Sequence, residues 1–205
     1  MERSPVSVDA AIDRASRLAA GVTHLILGIT GPPGAGKSTL AEQVVAAVPG
    51  TVLVPMDGFH LAQAVLDSSG LADRKGAPET FDRDGFVAVL RRIAGQRPGD
   101  RPVYAPTFRR DIEEPIAGAI AVPASCPLVV TEGNYLLHWP EVRPLLDEVW
   151  WVEVDDDTRR ERLSARHVRF GRGPAEAREW VLRSDEANAR LVAPGRDLAD
   201  VVVSL

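Results

Sequence analysis

The run Gly31-Pro32-Pro33-Gly34-Ala35-Gly36-Lys37-Ser38 fits the pattern G-x-x-x-x-G-K-[ST] at every specified position. Its chemistry is phosphate binding. The glycines let backbone N–H groups converge on anionic oxygens, a following helix adds partial positive charge, and Lys37 can reach the outer phosphates of a nucleotide. Ser38 is then a predicted Mg²⁺ ligand, and Gly31, Gly34, Ala35, Gly36, Lys37, Ser38 and Thr39 are the predicted nucleotide-binding residues. The competing reading is a Gly/Pro-rich turn that happens to contain Lys-Ser. Two carboxylates stand at comparable places, Asp57 in Asp57-Gly58-Phe59-His60 and Glu132 in Glu132-Gly133-Asn134-Tyr135, each directly after an apolar run. Hard cations prefer oxygen ligands, so Glu132 is a predicted Mg²⁺ ligand. Asp57 is predicted to face the nucleotide, with a structural Asp-Gly turn as the alternative. Arg162, Arg166 and Arg169 share one face at helical spacing and read as a lid closing on nucleotide phosphates, or else as a solvated basic face.

These groups need elements to hold them. The apolar run 24–30 predicts a buried strand before the glycine-rich loop, and 39–48 predicts a helix after it. Further strands are predicted at 51–56, with Pro55 near the end, and at 128–131, 148–154 and 199–205. Helices are predicted after Ser7, over 86–93 up to Gly95, over 158–170 with Asp157 as cap, and over 175–191. The polar stretch 67–82 is a long loop, more often functional than idle. Aromatic and basic residues mix in 103–111, which suits a polar or anionic ligand or a surface loop equally. Alternating strands and helices predict an α/β fold, a mostly parallel sheet with helices on both faces. In such sheets ligands bind beyond the carboxyl ends of the strands, where Asp57, Glu132 and the glycine-rich loop all fall.

The chain of 205 residues is 45% hydrophobic and 26% charged, ordinary for one soluble domain. A net charge of −5 argues against general affinity for nucleic acid or anionic membrane. Cys126 is the single cysteine, so no disulfide framework or cysteine metal cluster exists. With no long apolar span and no secretory pattern at the N-terminus, the expected location is cytoplasmic. Of 24 basic residues only Lys37 and Lys75 are lysines, a hint that a compact ammonium is wanted there.

Taken together, residues 31–38, Asp57-Gly58-Phe59, the block Arg74-Lys75-Gly76 with Pro78-Glu79 and Phe81-Asp82, Val103-Tyr104, Glu132-Gly133 and the arginine-rich helix resemble the phosphate-loop kinases that include uridine kinase, type I pantothenate kinase and phosphoribulokinase. The nearest likeness is to pantothenate kinase and to uncharacterised fructokinase-like and nucleoside kinase-like members. The resemblance covers nearly the whole chain and implies a single three-layer kinase domain over 1–205, with a lid at about 159–173. It implies transfer of phosphate from Mg-ATP to an acceptor hydroxyl, with Asp57 as base or orienting group, Glu132 near the metal, and Lys37 and Arg166 neutralising the transferring phosphate. His60, Lys75, Arg83, Tyr104, Arg109 and Glu113, with Asp57, are the candidates for the acceptor pocket. The segment after Tyr104 departs from the pantothenate and uridine patterns, so a pantothenate-like acid, a nucleoside and a sugar or sugar phosphate stay open, the arginines leaning toward an acidic acceptor. A homodimer is an open assembly. The rival from another class is a nucleotide-binding ATPase or switch without an acceptor; the Asn-Lys-x-Asp signature of a GTPase does not occur.

Overall fold

The computed structural model describes residues 4–21 and 24–205. Its centre is a parallel sheet of β1 (Leu25–Thr30), β2 (Val52–Pro55), β5 (Leu128–Glu132), β6 (Glu148–Glu153) and β7 (Val201–Ser204), in the order β2-β5-β1-β6-β7. Strands buried on both faces are mostly apolar, as β1, β5 and β6 are, and successive residues feed two different cores. Ile26, Val129, Trp151 and Val202 enter one core, whereas Leu27, Val130, Trp150 and Val203 enter the other.

The second core is closed by α1 (Val8–Gly21) and α2 (Lys37–Ala47). Ala11 and Ala15 of α1 meet Leu40, Ala41 and Val44 of α2 and the sheet. Leu40 and Val44 are fully buried, and each such side chain contributes about 1.5–3 kcal/mol. As predicted, α1 starts after Ser7, whose hydroxyl accepts from the Ala10 N–H at 3.3 Å. The first core is covered by α4 (Arg83–Ala94), through Phe86, Val87, Leu90 and Ile93, and by Tyr135, Leu136 and Trp139. Asp82 caps α4 by accepting from the Gly85 N–H at 2.8 Å, and Gly95 is its C-cap. The short α3 (Gln63–Ser68) falls where Leu61, Ala64 and Val65 give a helix-like pattern, and two 3₁₀ turns, Ala72–Arg74 and Pro78–Thr80, organise the polar stretch after it that is expected to be a loop.

Three expectations need correction. The segment from 103 is a strand, β3 (Val103–Arg109), paired antiparallel with β4 (Glu114–Val122) in a separate hairpin. Pro106, Pro115 and Gly118, together with the exposed middle of β4, hide the alternation that marks a half-buried strand. The cap of α5 (Asp156–Arg169) is Asp155, which accepts from the Thr158 N–H at 2.8 Å; Asp157 already lies inside the helix. The helix predicted over 175–191 is three pieces: α6 (Pro174–Trp180), a π-helical turn Val181–Asp185, and α7 (Glu186–Val192). The wider turn inserts a residue and rotates the faces that follow, which brings buried Asp185 toward the site.

Candidate active site

The sheet register sets the site. Glu132 at the end of β5 is level with Ile29 of β1 and with Pro55 of β2. The glycine-rich loop after β1, the turn after β2 and the Glu132 side chain therefore open at one carboxyl edge of the sheet, as an open α/β sheet requires.

In the loop, Gly34 and Gly36 take φ of 81° and 97°, a left-handed conformation that favours glycine. A Cβ on Gly34 would stand 2.7 Å from Leu163 Cγ and 2.9 Å from the Arg159 carbonyl oxygen, so the loop lies tightly against α5. Gly36 precedes α2 without any side-chain cap, which leaves the first N–H groups of that helix available to an anion. Lys37 is 7% exposed, and its Nζ donates to the Pro32 carbonyl at 2.9 Å. Burial lowers its pKa, the nearby Glu132 carboxylate opposing that shift. Glu132 is displaced the opposite way: burial and the charge of Asp57 raise it, while Lys37 and a hydrogen bond with Ser38 pull it down. A hydroxyl and a carboxylate thus sit together beside a buried ammonium.

Asp57 lies in the 3₁₀ turn Met56–Phe59 that directly follows β2. A Cβ on Gly58 would be 2.5 Å from the Pro106 carbonyl oxygen; the absence of a side chain there is what lets the hairpin press against this turn. Across that contact Arg110 Nη2 donates to Asp57 Oδ2 at 2.7 Å. His60 Nδ1 donates to the Asp57 carbonyl at 2.8 Å, and burial lowers the His60 pKa against the opposing charge of Asp57. That ring lies between Phe81, at 3.9 Å between centroids, and Phe108, at 4.8 Å. Lys75 Nζ is over the Phe108 ring at 5.4 Å and is held by Gln63 Oε1 at 3.1 Å and by the Glu113 carbonyl at 2.9 Å. Glu113 itself has φ of 54°, in the left-handed region that side chains seldom adopt, at the turn between β3 and β4.

Two cavities meet here. One, of about 450 Å³, is lined by Asp57, His60, Lys75, Glu113 and Glu132 and by the polar wall of Asn134, His167, Asp185 and Asn188. The other, of about 550 Å³, is lined by Gly34, Gly36, Thr39, Arg162, Arg166 and Arg169. Gly34, Lys37, Ser38, Arg110, Arg166 and Phe170 line both. Arg162, Arg166 and Arg169 make no ion pair among the described residues, so three guanidinium charges turn toward the cavities without a carboxylate partner. Such a set fits a polyphosphate. Among the described residues no three His, Cys, Asp or Glu side chains form a metal cluster. Ser38 with Glu132 nonetheless fits Mg²⁺, which usually takes one or two protein oxygens and completes its shell from phosphates and water.

Not every predicted residue arrives. Arg83 lines neither cavity; as the first residue of α4 it pairs with Asp84 at 3.0 Å and lies 3.9 Å from Glu141. Tyr104 is 56% exposed on the outer face of the hairpin, and exposed Arg109 is spent on Asp111. The cause is a register shift between Ala105 and Thr107, which reverses the in-and-out alternation of β3. Val103 and Ala105 point inward before it; Phe108 and then Arg110 face the cavity after it. Gly31 and Ala35 also line neither cavity. Gly31 is wedged against β6, where a Cβ would meet the Val152 carbonyl oxygen at 2.4 Å, and Ala35 is fully buried in the second core. They shape the loop.

Other residues of the site carry little signal in the sequence. Nothing there separates Arg110 from its neighbour Arg109; the bulge at Pro106 does. Asp185, which accepts from His167 Nε2 at 2.8 Å, depends on the π-helical turn. Arg159, one of the helix arginines, is 1% exposed; it pairs with Glu186 and donates to the Pro33 carbonyl at 3.4 Å, so it braces the phosphate loop from beneath.

Comparison with known proteins places this geometry among relatives. Residues 26–205 match the family model described as "Phosphoribulokinase / Uridine kinase family". The chain is 30% identical over 213 residues to a proposed uridine kinase of Schizosaccharomyces pombe, covering 96% of this chain and 90% of that protein. It is 34% identical over 152 residues to the ATP-dependent kinase-like protein notR' of Aspergillus versicolor, covering 69% of this chain and 88% of that one. Among solved structures, a protein of Silicibacter sp. TM1040, proposed to be a fructose transport system kinase, superposes with a TM-score of 0.84 at 32% identity, covering 96% of this chain and 98% of that chain.

Proposed function

The chain belongs to the phosphoribulokinase and uridine kinase family and is an ATP-dependent kinase, and from that premise we propose how its own residues divide the work of phosphoryl transfer to a small-molecule hydroxyl. The observation that carries the reading is the junction of the two cavities: Lys37, Ser38, Arg110 and Arg166 line both, while Asp57, the partner of Arg110, lines only the smaller. The larger cavity then takes the nucleotide and the smaller takes the acceptor. Little covalent help is needed in phosphoryl transfer; positioning and charge compensation do most of it.

In this reading the N–H groups at the start of α2 and the Lys37 ammonium bind the phosphate chain, Nζ exchanging the Pro32 carbonyl for phosphate oxygens. Arg166, reaching both cavities, compensates charge on the transferring group, and Arg162 and Arg169 bind the nucleotide from the side of α5. Asp57 accepts the proton of the acceptor hydroxyl or holds that hydroxyl in line. Ser38 and Glu132 would hold Mg²⁺, which when bound supplies charge neutralisation across the phosphate oxygens. His60, Lys75 and Glu113 shape the acceptor pocket with the aromatic floor of Phe81 and Phe108. Residues 159–173 act as a lid on one kinase domain that extends over the whole chain, and closure of that lid excludes water.

The test is a panel of hydroxylated metabolites scored for ADP release, with ATP alone as background and Lys37→Ala as the inactive control. The expected result is release above background for one chemical group of acceptors, absent in the variant. A protein that binds ATP and releases no ADP with any of them would overturn the reading.

A further inference from the structure

We infer that the acceptor carries an anionic group, that Arg110 is the residue that selects for it, and that before the acceptor arrives the same arginine covers Asp57. This rests on the proposed assignment of the smaller cavity to the acceptor. Arg110 stands at the tip of the hairpin, and its guanidinium donates to Asp57 Oδ2 at 2.7 Å while lying over the Phe108 ring at 5.7 Å. The carboxylate proposed to receive a proton is therefore occupied by a cation in the free protein. Lys75, whose Nζ is 5.4 Å from the same ring, is already satisfied by Gln63, by the Glu113 carbonyl and by the Glu113 carboxylate at 3.5 Å. Of the two cations at this aromatic floor, Arg110 alone has a partner that the reaction itself must take away.

The exchange is energetically easy. The Arg110 and Asp57 side chains are 48% and 30% exposed, and pairs with that much solvent access are weak. A planar guanidinium released from Asp57 presents a fork suited to a carboxylate or a phosphate. An anionic acceptor therefore draws Arg110 to itself and frees Asp57 in one event, whereas a neutral acceptor must compete with the pair and leaves the guanidinium without a counter-charge. When transfer proceeds, the acceptor oxygen forms a bond to the γ-phosphorus. The bond from that phosphorus to the bridging oxygen breaks with its electron pair remaining on ADP, and the hydroxyl proton passes to Asp57. Without an acceptor, water could take the same route to ADP and inorganic phosphate, and the pairing of Asp57 with Arg110 restrains it.

The experiment compares wild type with Arg110→Gln on matched acceptors: D-glycerate against glycerol, pantothenate against panthenol, and D-ribose 5-phosphate against D-ribose. The first two pairs report a carboxylate and the third a phosphate. Wild type is expected to prefer the anionic member of at least one pair. In the variant the ratio of kcat/KM for anionic over neutral acceptor should fall about 10- to 100-fold, the scale of a hydrogen bond between charged groups. ATP hydrolysis without acceptor should rise about two- to fivefold, the scale of a half-exposed ion pair. An equal fall for both members of a pair, or hydrolysis unchanged or reduced in a variant that still binds ATP, overturns the inference. Wild type that phosphorylates neutral members and not anionic ones overturns the inference while the kinase reading stands; wild type that phosphorylates none of the six overturns the inference too, and the broader metabolite panel then decides the kinase reading.

Discussion

Replacing Glu186 should destabilise the protein more than replacing Arg159, although the two side chains form one pair. Arg159 is 1% exposed, and its guanidinium carries a positive charge into that interior. In Glu186→Gln that charge would stay inside with one formal counter-charge, Asp156 at 3.1 Å, whose side chain is 66% exposed. Breaking a buried pair so that a charge is stranded costs about 3–5 kcal/mol. Arg159→Met strands less. The Glu186 carboxylate keeps Arg160 at 3.2 Å and is 12% exposed itself, so the loss is that of charged hydrogen bonds, about 1.5–3 kcal/mol. The double variant leaves no stranded charge and should cost less than the sum, by a coupling of about 1–3 kcal/mol. Urea unfolding of the four proteins at neutral pH measures all three quantities, provided the denaturant slope is unchanged. Arg159→Met should also weaken ATP binding, because it removes the donor to the Pro33 carbonyl in the phosphate loop. A milder effect for Glu186→Gln than for Arg159→Met, or both below about 1 kcal/mol, would refute the reasoning.

Two further outcomes are expected. Lys37→Ala should lower kcat/KM at least about 100-fold by withdrawing a positioned charge from the phosphates, with far-ultraviolet circular dichroism preserved; normal turnover would remove the loop from the mechanism. Backbone hydrogen exchange across residues 159–173 should slow when an ATP analogue and Mg²⁺ are added, and unchanged exchange there would remove the lid.

Much of this architecture was legible because it follows from local rules. The five sheet strands are mostly apolar runs, the phosphate loop needs glycines at fixed places, and the parallel topology aligns Asp57 and Glu132 at one edge. The hairpin was not legible, since β4 exposes most of its residues and carries no alternating signal. Its bulge then decided which of two adjacent arginines enters the cavity, a one-residue choice that composition cannot make. The polar wall of the smaller cavity was hidden for a similar reason: an uninterrupted helical pattern gives no sign that Val181–Asp185 widens into a π turn. Burial of Arg159 escaped because its partner, Glu186, is far along the chain and an arginine-rich helix reads as solvated.

The central claim is that Asp57 serves the acceptor hydroxyl rather than the nucleotide. It is tested by one paired measurement on Asp57→Asn: ATP affinity by calorimetry with and without Mg²⁺, and turnover at saturating ATP with an accepted substrate. Asparagine keeps the size and loses the charge, so affinity should hold within a few-fold while kcat falls about 10²- to 10⁴-fold, the range for a positioned acid or base. Turnover near that of wild type, or a loss confined to Mg²⁺-dependent affinity, would contradict it.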